Sequence, residues 1–208
     1  EERKNSSHIL DFSIFTKDSL NIFDSDNRKN HFFSNSVFNY DFEKFSDSTI
    51  EINIETTSNP TYLKTYKIES PLINNQTSLN SFVNLEMRNE DTYVKTSFES
   101  YEDLNKNKSE KYEFVYPNIE LEKTISLNPE YKGTLNFDLQ GYHKKYGADS
   151  FDSVLVNNLE YESFDYILNS GLKNKFNFLL KNVNSNGDNS IENRDETSNK
   201  LLGSFIFE

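Results

Sequence analysis

Apolar and polar residues alternate with a period of two over most of this chain. Ile50, Ile52 and Ile54 interleave with Glu51, Asn53 and Glu55. This is the pattern of a strand with one apolar and one charged face, because successive side chains of a strand point to opposite sides. The pattern recurs in Leu10, Phe12 and Ile14, and in Leu79, Ser81, Val83, Leu85 and Met87 against Asn80, Asn84 and Glu86. Val94, Thr96 and Phe98 alternate with Lys95, Ser97 and Glu99, and Ile119 and Leu121 with Asn118, Glu120 and Glu122. The cleanest case is Leu135, Phe137 and Leu139 against Asn136, Asp138 and Gln140. Strands are predicted at 8–16, 31–42, 48–57, 79–87, 94–99, 111–122, 135–140, 153–161, 171–182 and 201–207.

Turn chemistry separates these segments. Ser58-Asn59-Pro60 ends the strand at 48–57, since a proline cannot donate to a ladder and biases the residue before it away from helix. Arg88 to Asp91 is short enough for a tight hairpin, and Asn128-Pro129-Glu130 marks another turn. Asp24 to Lys29 reads as a polar tip, 62–77 as irregular, and Asp103–Glu110 and Asn182–Asn199 as long solvated loops. No helical period and no fixed-length repeat intervenes. The fold class is therefore all-β, with antiparallel up-and-down strands.

Composition changes this picture in one respect. Only 34% of the 208 residues are hydrophobic, against about 45–50% in ordinary soluble domains with glycine included. Eighteen Phe and twelve Tyr argue against disorder, which is poor in aromatics, so each strand buries a single face. A net charge of −12 argues against nucleic acid or an anionic membrane surface as the main partner, since both attract basic patches. No run of about 20 apolar residues is present, which excludes a transmembrane helix but not transmembrane strands, whose lumen-facing positions are polar. The chain has no cysteine, hence no disulfide or thiolate chemistry. It opens on Glu1-Glu2-Arg3-Lys4 without a signal peptide and closes inside a strand pattern; for an outer-membrane protein this implies a fragment.

Candidate chemistry is sparse. Asn182, Asn184, Asn186, Gly187, Asp188 and Glu192 have the look of a calcium loop, but the first position is Asn and the glutamate falls one position early, so the segment reads as a solvated loop. His8, His31 and His143 are dispersed, without ligand spacing. There is no Gly-x-Ser-x-Gly elbow and no glycine-rich phosphate loop among six glycines. No catalytic, cofactor or metal residue is assigned, and the chain is not expected to be an enzyme. Tyr62, Tyr66, Tyr93, Tyr101, Tyr112, Tyr142 and Tyr146 are expected to form aromatic girdles at membrane interfaces.

The strand at 48–57 runs into Ser58, Asn59, Pro60, Thr61, Tyr62, Leu63, Lys64, Thr65 and Tyr66. This resembles the barrel domain of the lipopolysaccharide-assembly protein family LptD, in which an alternating strand enters a Ser-Asp-Pro-Ser-Tyr type turn; Asn59 stands where that family often has Asp. Tyr112 to Glu120, with Tyr116 and Pro117, is similar to the tyrosine-rich, proline-containing strand start of the same family. The resemblance covers most of residues 30–180. It implies that residues 1–208 are part of a large outer-membrane β-barrel that is not closed in this chain, without the family's N-terminal jellyroll domain and signal peptide. The implied function is a translocon placing lipopolysaccharide in the outer leaflet, with outer-membrane lipid, the lipoprotein LptE and the periplasmic LptA bridge as partners. Ile50, Ile52, Ile54, Leu79, Val83, Leu85, Ile119, Leu121, Leu135, Phe137 and Leu139 are then expected toward lipid. Glu51, Asn53, Glu55, Asn84, Glu86, Asn118, Glu120, Glu122, Asn136, Asp138 and Gln140 are expected toward the lumen. A general or substrate-specific porin, and a soluble all-β surface or adhesin fragment, are the alternatives. Loops 103–110 and 182–199 are expected outside the cell, with the tight hairpins on the periplasmic side.

Overall fold

The structure is a computed structural model that describes residues 6–16, 28–107, 109–128, 130–147, 150–189 and 197–207. Its strands are β1 (Ser6–Thr16), β2 (Arg28–Asn39), β3 (Asp47–Thr57), β4 (Ser78–Arg88), β5 (Thr92–Asp103), β6 (Tyr112–Ile125), β7 (Gly133–Tyr146), β8 (Ser150–Ser163), β9 (Tyr166–Ile167), β10 (Lys173–Asn174), β11 (Phe176–Asp188) and β12 (Thr197–Phe207), with one helical turn, α1 (Tyr62–Thr65), between β3 and β4. Ten strands form one antiparallel sheet in the order β1-β2-β3-β4-β5-β6-β7-β8-β11-β12, while β9 and β10 make a small separate hairpin. The sheet is an open up-and-down meander with β1 and β12 at its edges.

Connections after β1, β3, β5, β7 and β11 emerge at one end of the sheet, called the upper end, and the others at the lower end. Short and long connections do not alternate strictly. At the upper end β7 and β8 are joined by residues 147–149 alone, while the lower connection 164–175 carries β9 and β10. The predicted tip at 24–29 lies largely outside the described residues, as do Pro129 and residues 190–196. The expected loop at Asn182–Asn199 is shorter than its polarity suggested. Residues 182–188 belong to β11 and 197–199 to β12, paired from Asn182↔Leu201 to Asn186↔Thr197. Ladder hydrogen bonds here hold a polar sequence in strand form.

Residues 62–77, expected to be irregular, begin with α1. The Asn59 side-chain carbonyl accepts from Thr61 N at 2.9 Å and Thr61 Oγ1 at 2.8 Å, an Asx turn that starts the helix. Lys67, at φ +49°, ends it: Lys67 N donates to the Lys64 carbonyl at 3.3 Å and Ile68 N to the Leu63 carbonyl at 2.9 Å. These two bonds make a Schellman close. A lysine rather than a glycine holds the left-handed position, so no sequence signal marks the stop.

Between Val115 and Asn118, β6 carries one extra residue relative to both β5 and β7. Tyr116 and Pro117, joined by a cis peptide bond, form this bulge. Pro117 has no N–H for the ladder, and a bulge is where a strand tolerates that. The extra residue resets the alternation, so that Glu113 and Val115 share a face with Asn118 and Glu120.

The buried core is small. Phe33, Tyr62, Leu63, Leu79 and Leu104 pack together at the upper end, with Ile68, Leu72 and Ile73 against them.

Candidate functional site: the two faces of the sheet

Paired residues in an antiparallel ladder share a face, so the register follows each predicted residue across the sheet. Asn84 pairs with Glu51, Glu120 with Lys95 and Gln140, Glu122 with Asp138, Asn118 with Ser97 and Tyr142, and Asn136 with Thr124 and Glu160. All eleven residues predicted toward a lumen thus fall on one face, here the polar face. Ile50, Ile52, Val83, Leu85, Ile119, Leu121, Leu135, Phe137 and Leu139 fall on the other.

Leu79 departs from that set: it is buried in the core cluster. The β3–β4 ladder ends at Asn53↔Phe82, and side chains bridge the strands beyond. Asn53 Nδ2 donates to the Asn80 carbonyl at 2.7 Å, Asn80 N donates to the Glu55 carboxylate at 2.8 Å, and Glu55 N donates to Ser81 Oγ at 2.9 Å. Asn53 and Glu55 are buried and act as substitutes for missing ladder bonds. Elsewhere the polar face carries its own network: Asn35 donates to Glu51 at 2.8 Å, Asn177 to Glu160 at 2.9 Å, the Tyr146 hydroxyl to Asp152 at 2.9 Å, and both Ser97 and Tyr101 to Glu99.

The turn residues Ser58, Asn59, Pro60, Tyr62, Leu63 and Tyr66 close the upper end of β3, and α1 lies on the polar face. There Tyr62 shares a 2.6 Å hydrogen bond with Ser13 Oγ, which also meets His31 Nδ1 at 3.1 Å. His31 stacks on Phe33 at 4.5 Å between ring centroids and points Nε2 at Asp11, 3.3 Å away. Ser13, His31 and Phe33 share this face by register. Sequence reasoning named His31 only as a dispersed histidine and missed Ser13 and Phe33, yet one signal was present: Phe33 is a large apolar residue in a polar phase, and such a residue needs a cover. Tyr116 and Pro117 form a separate feature, the bulge of β6.

The expected tyrosine girdle is corrected. Tyr62 is buried in the core, and Tyr93, Tyr101, Tyr142 and Tyr146 lie on the polar face through their pairing with Glu122, Glu113, Asn118 and Glu113. Unbroken alternation along β5 and β7 puts these four in phase with Lys95 and Gln140, and the bulge changes the phase only within β6, where it turns Tyr112 to the apolar face. The aromatic row on the apolar face is instead Tyr112, Phe114 and Tyr116, continued through His143 to Phe151, with centroids 5.6–6.4 Å apart.

The apolar face is uncovered. Phe12 is 68% exposed, Phe98 54% and Phe205 65%, and Ile54, Val83, Leu155 and Phe178 are also exposed. Exposed apolar patches of such extent mark contact with lipid or another apolar surface. The patch also has a direction. One unbroken register row joins Ser6 of β1 to Phe38, Ile50, Leu85, Thr96, Ile119, Gly141, Leu155, Asn184 and finally Asn199 of β12.

On β1 the apolar residues centre on Phe12, six residues above this row, and on β12 they centre on Phe205, six residues below it. Four of the eight strands between them step between these limits, with centres at Ile52 in β3, Leu85 in β4, Phe137 in β7 and Phe178 in β11, while β6 carries apolar residues on both sides of the row, from Tyr112 to Ile125. A displacement of twelve residues over the nine steps between ten strands is about 1.3 residues per step. At roughly 3.3 Å per residue and 4.8 Å between strands, the band crosses the strands at about 40° from their perpendicular.

Above the band, on β8, β11 and β12, the apolar face turns polar. Asn157 Nδ2 donates to Asn182 Oδ1 at 3.5 Å, Asn182 Nδ2 to Asn199 Oδ1 at 3.0 Å, and Asn184 donates to Asn182. The residues weighed as a calcium loop are therefore strand amides bonded to one another; Glu192 lies outside the described residues. Among the described residues, no group of three or more His, Cys, Asp or Glu is placed to hold a metal ion, and no helix is long and apolar enough to cross a membrane. No protein-family model matches the chain, and no curated protein matches it.

Proposed function

We propose that these ten strands are part of the wall of a transmembrane β-barrel in a bacterial outer membrane, and that the barrel is a lipopolysaccharide translocon of the LptD kind. The observation that carries the membrane reading is the oblique apolar band. Strands of outer-membrane barrels tilt by about 35–45° and present an outward apolar band level with the membrane. In a tilted strand set, a level band must drift along the register from strand to strand. The drift found here corresponds to about 40°, within that range, whereas a soluble sandwich has no reason to stagger an uncovered apolar stripe in this way.

In this reading β1 and β12 pair with further strands, since open edges are not tolerated in the hydrocarbon region. The polar face, with Glu51, Asn84, Glu86, Glu120, Glu122, Asp138 and Gln140, lines a wet lumen suited to the sugar portion of lipopolysaccharide. No covalent step is required. The family-specific part rests on the resemblance around Ser58–Tyr66 and Tyr116–Pro117, as do LptE and LptA as partners.

A diffusion porin would share the oblique band. Against it stands the segment around α1, which lies on the polar face, held by Leu63 and by the Tyr62–Ser13 bond, where a free pore needs open space. Depletion of the protein in its own cells is the test. Loss of newly made lipopolysaccharide from the cell surface is expected; normal surface lipopolysaccharide would sink the translocon reading. Large, steady conductance of the purified barrel in planar bilayers would favour the porin.

A further inference from the structure

A groove of about 390 Å³ opens on β6, β7, β8, β11 and β12 where the apolar band meets the asparagine rows. Gly141 forms its floor, flanked by Ile119 and Leu155, and Asn184, Asn186 and Asn199 stand along the rim. These residues share the apolar face by register. The groove exists because Gly141 has no side chain; a Cβ there would lie 2.8 Å from Leu155 Cδ1. The rim amides are only half used. Asn199 Oδ1 accepts from Asn182 at 3.0 Å and Asn186 Oδ1 from Thr197 at 3.1 Å, which leaves both amide nitrogens as donors without a partner among the described residues. Both residues are exposed; in the membrane reading they face lipid, where a donor without an acceptor is costly.

We propose that this groove seats one acyl chain of a bilayer lipid, with Asn186 and Asn199 donating to the ester or headgroup oxygens above the chain. Apolar floor below and amide donors above reproduce the order of polarity along a lipid molecule. The groove is also continuous with the band that faces hydrocarbon, so a lipid reaches it without leaving the membrane. The proposal rests on the membrane reading above.

The test is photolabelling of the whole protein reconstituted in phosphatidylcholine vesicles that carry a phospholipid with a diazirine in its acyl chain, followed by peptide mapping. Labelling at Gly141, Leu155, Asn184 and Asn199 is expected to exceed that around Leu85 and Phe137 at least about fivefold, the ratio that one net hydrogen bond per lipid supplies. Ser153→Phe, which fills the groove, should lower it to the level of the rest of the band, and Asn199→Leu, which removes one of the two donors on the rim, should lower it about fivefold. Equal labelling across the band in the unaltered protein, or no response to either substitution, overturns the lipid site and leaves the barrel reading standing. Absence of labelling around Leu85 and Phe137 as well as in the groove removes both.

Discussion

Leu63→Ala is expected to release the segment around α1 from the polar face without loosening the sheet. Leu63 is fully buried, and its neighbours Phe33, Tyr62, Leu79 and Leu104 are the remaining members of the core cluster. Truncating a buried leucine to alanine costs roughly 3 kcal/mol in transfer and cavity terms. Other ties of this segment include the Tyr62–Ser13 bond at 2.6 Å, Lys64 Nζ to Asn105 Oδ1 at 2.7 Å, Ser58 N to the Asn30 carbonyl at 3.0 Å, Leu104 N to the Thr77 carbonyl at 2.8 Å and the Phe15–Tyr66 ring contact at 4.9 Å. A cost of ~3 kcal/mol raises the local opening equilibrium about 100-fold. Hydrogen exchange reads this directly at Tyr66 and Ile68, whose amides donate to the Tyr62 and Leu63 carbonyls. Both should exchange about 100-fold faster, while amides of β7 and β8 keep their rates. Leu85→Ala, on the apolar face and outside the cluster, should leave Tyr66 and Ile68 unchanged. An unchanged rate at Ile68, or equal acceleration throughout β7 and β8, would refute the view that α1 is a locally held cover.

Asn80 N and Asn53 Nδ2 donate to different oxygens of the Glu55 carboxylate, at 2.8 and 2.9 Å, so Glu55→Gln places an amide NH2 against one of the two donors while its carbonyl keeps the other. A loss of about 1–3 kcal/mol is expected, read as a lower urea midpoint; an unchanged midpoint would show that the carboxylate does not replace the ladder there. Gly133→Ala drives a Cβ to 2.6 Å from the Glu162 carbonyl and 2.7 Å from the Tyr161 ring, whereas Gly203→Ala meets nothing within 4 Å. The first should cost ~1–3 kcal/mol by overpacking and the second should be neutral or stabilising; thermal melts that rank them the other way contradict the register between β7 and β8. Asn107→Cys and Asn189→Cys lie at the upper end and Asn89→Cys at the lower. With four long strands, β6, β7, β8 and β11, between the two upper sites, a membrane-impermeant maleimide applied to whole cells should label both and spare Asn89. Gly187 is unsuited as a probe because it is buried within β11. Labelling of Asn89 alone would invert the orientation.

Alternation by itself determined which residues share a face. The period of two is local, and Ile50, Ile52 and Ile54 or Leu135, Phe137 and Leu139 carry it without reference to any neighbour. The antiparallel meander was equally legible, because each turn lies in sequence between the strands it joins. Only the tertiary structure decided how the strands stagger. Register between Ile50, Leu85 and Gly141 depends on ladder pairing summed over the whole sheet, and the slope of the apolar band is a property of that sum. The bulge at Tyr116 and Pro117 and the burial of Asn53 and Glu55 between diverging strands were hidden for the same reason: each is a failure of ladder geometry that a one-strand pattern does not record. The asparagines at 182–186 read as loop because their polarity is a composition signal. Pairing with Asn157 and Asn199, far away in sequence, makes them strand, since backbone hydrogen bonding to a partner outweighs weak intrinsic preference. Lys67 likewise concealed the end of α1, whose place on the polar face follows from the contact of Tyr62 and Leu63 with Phe33, a partner on another strand.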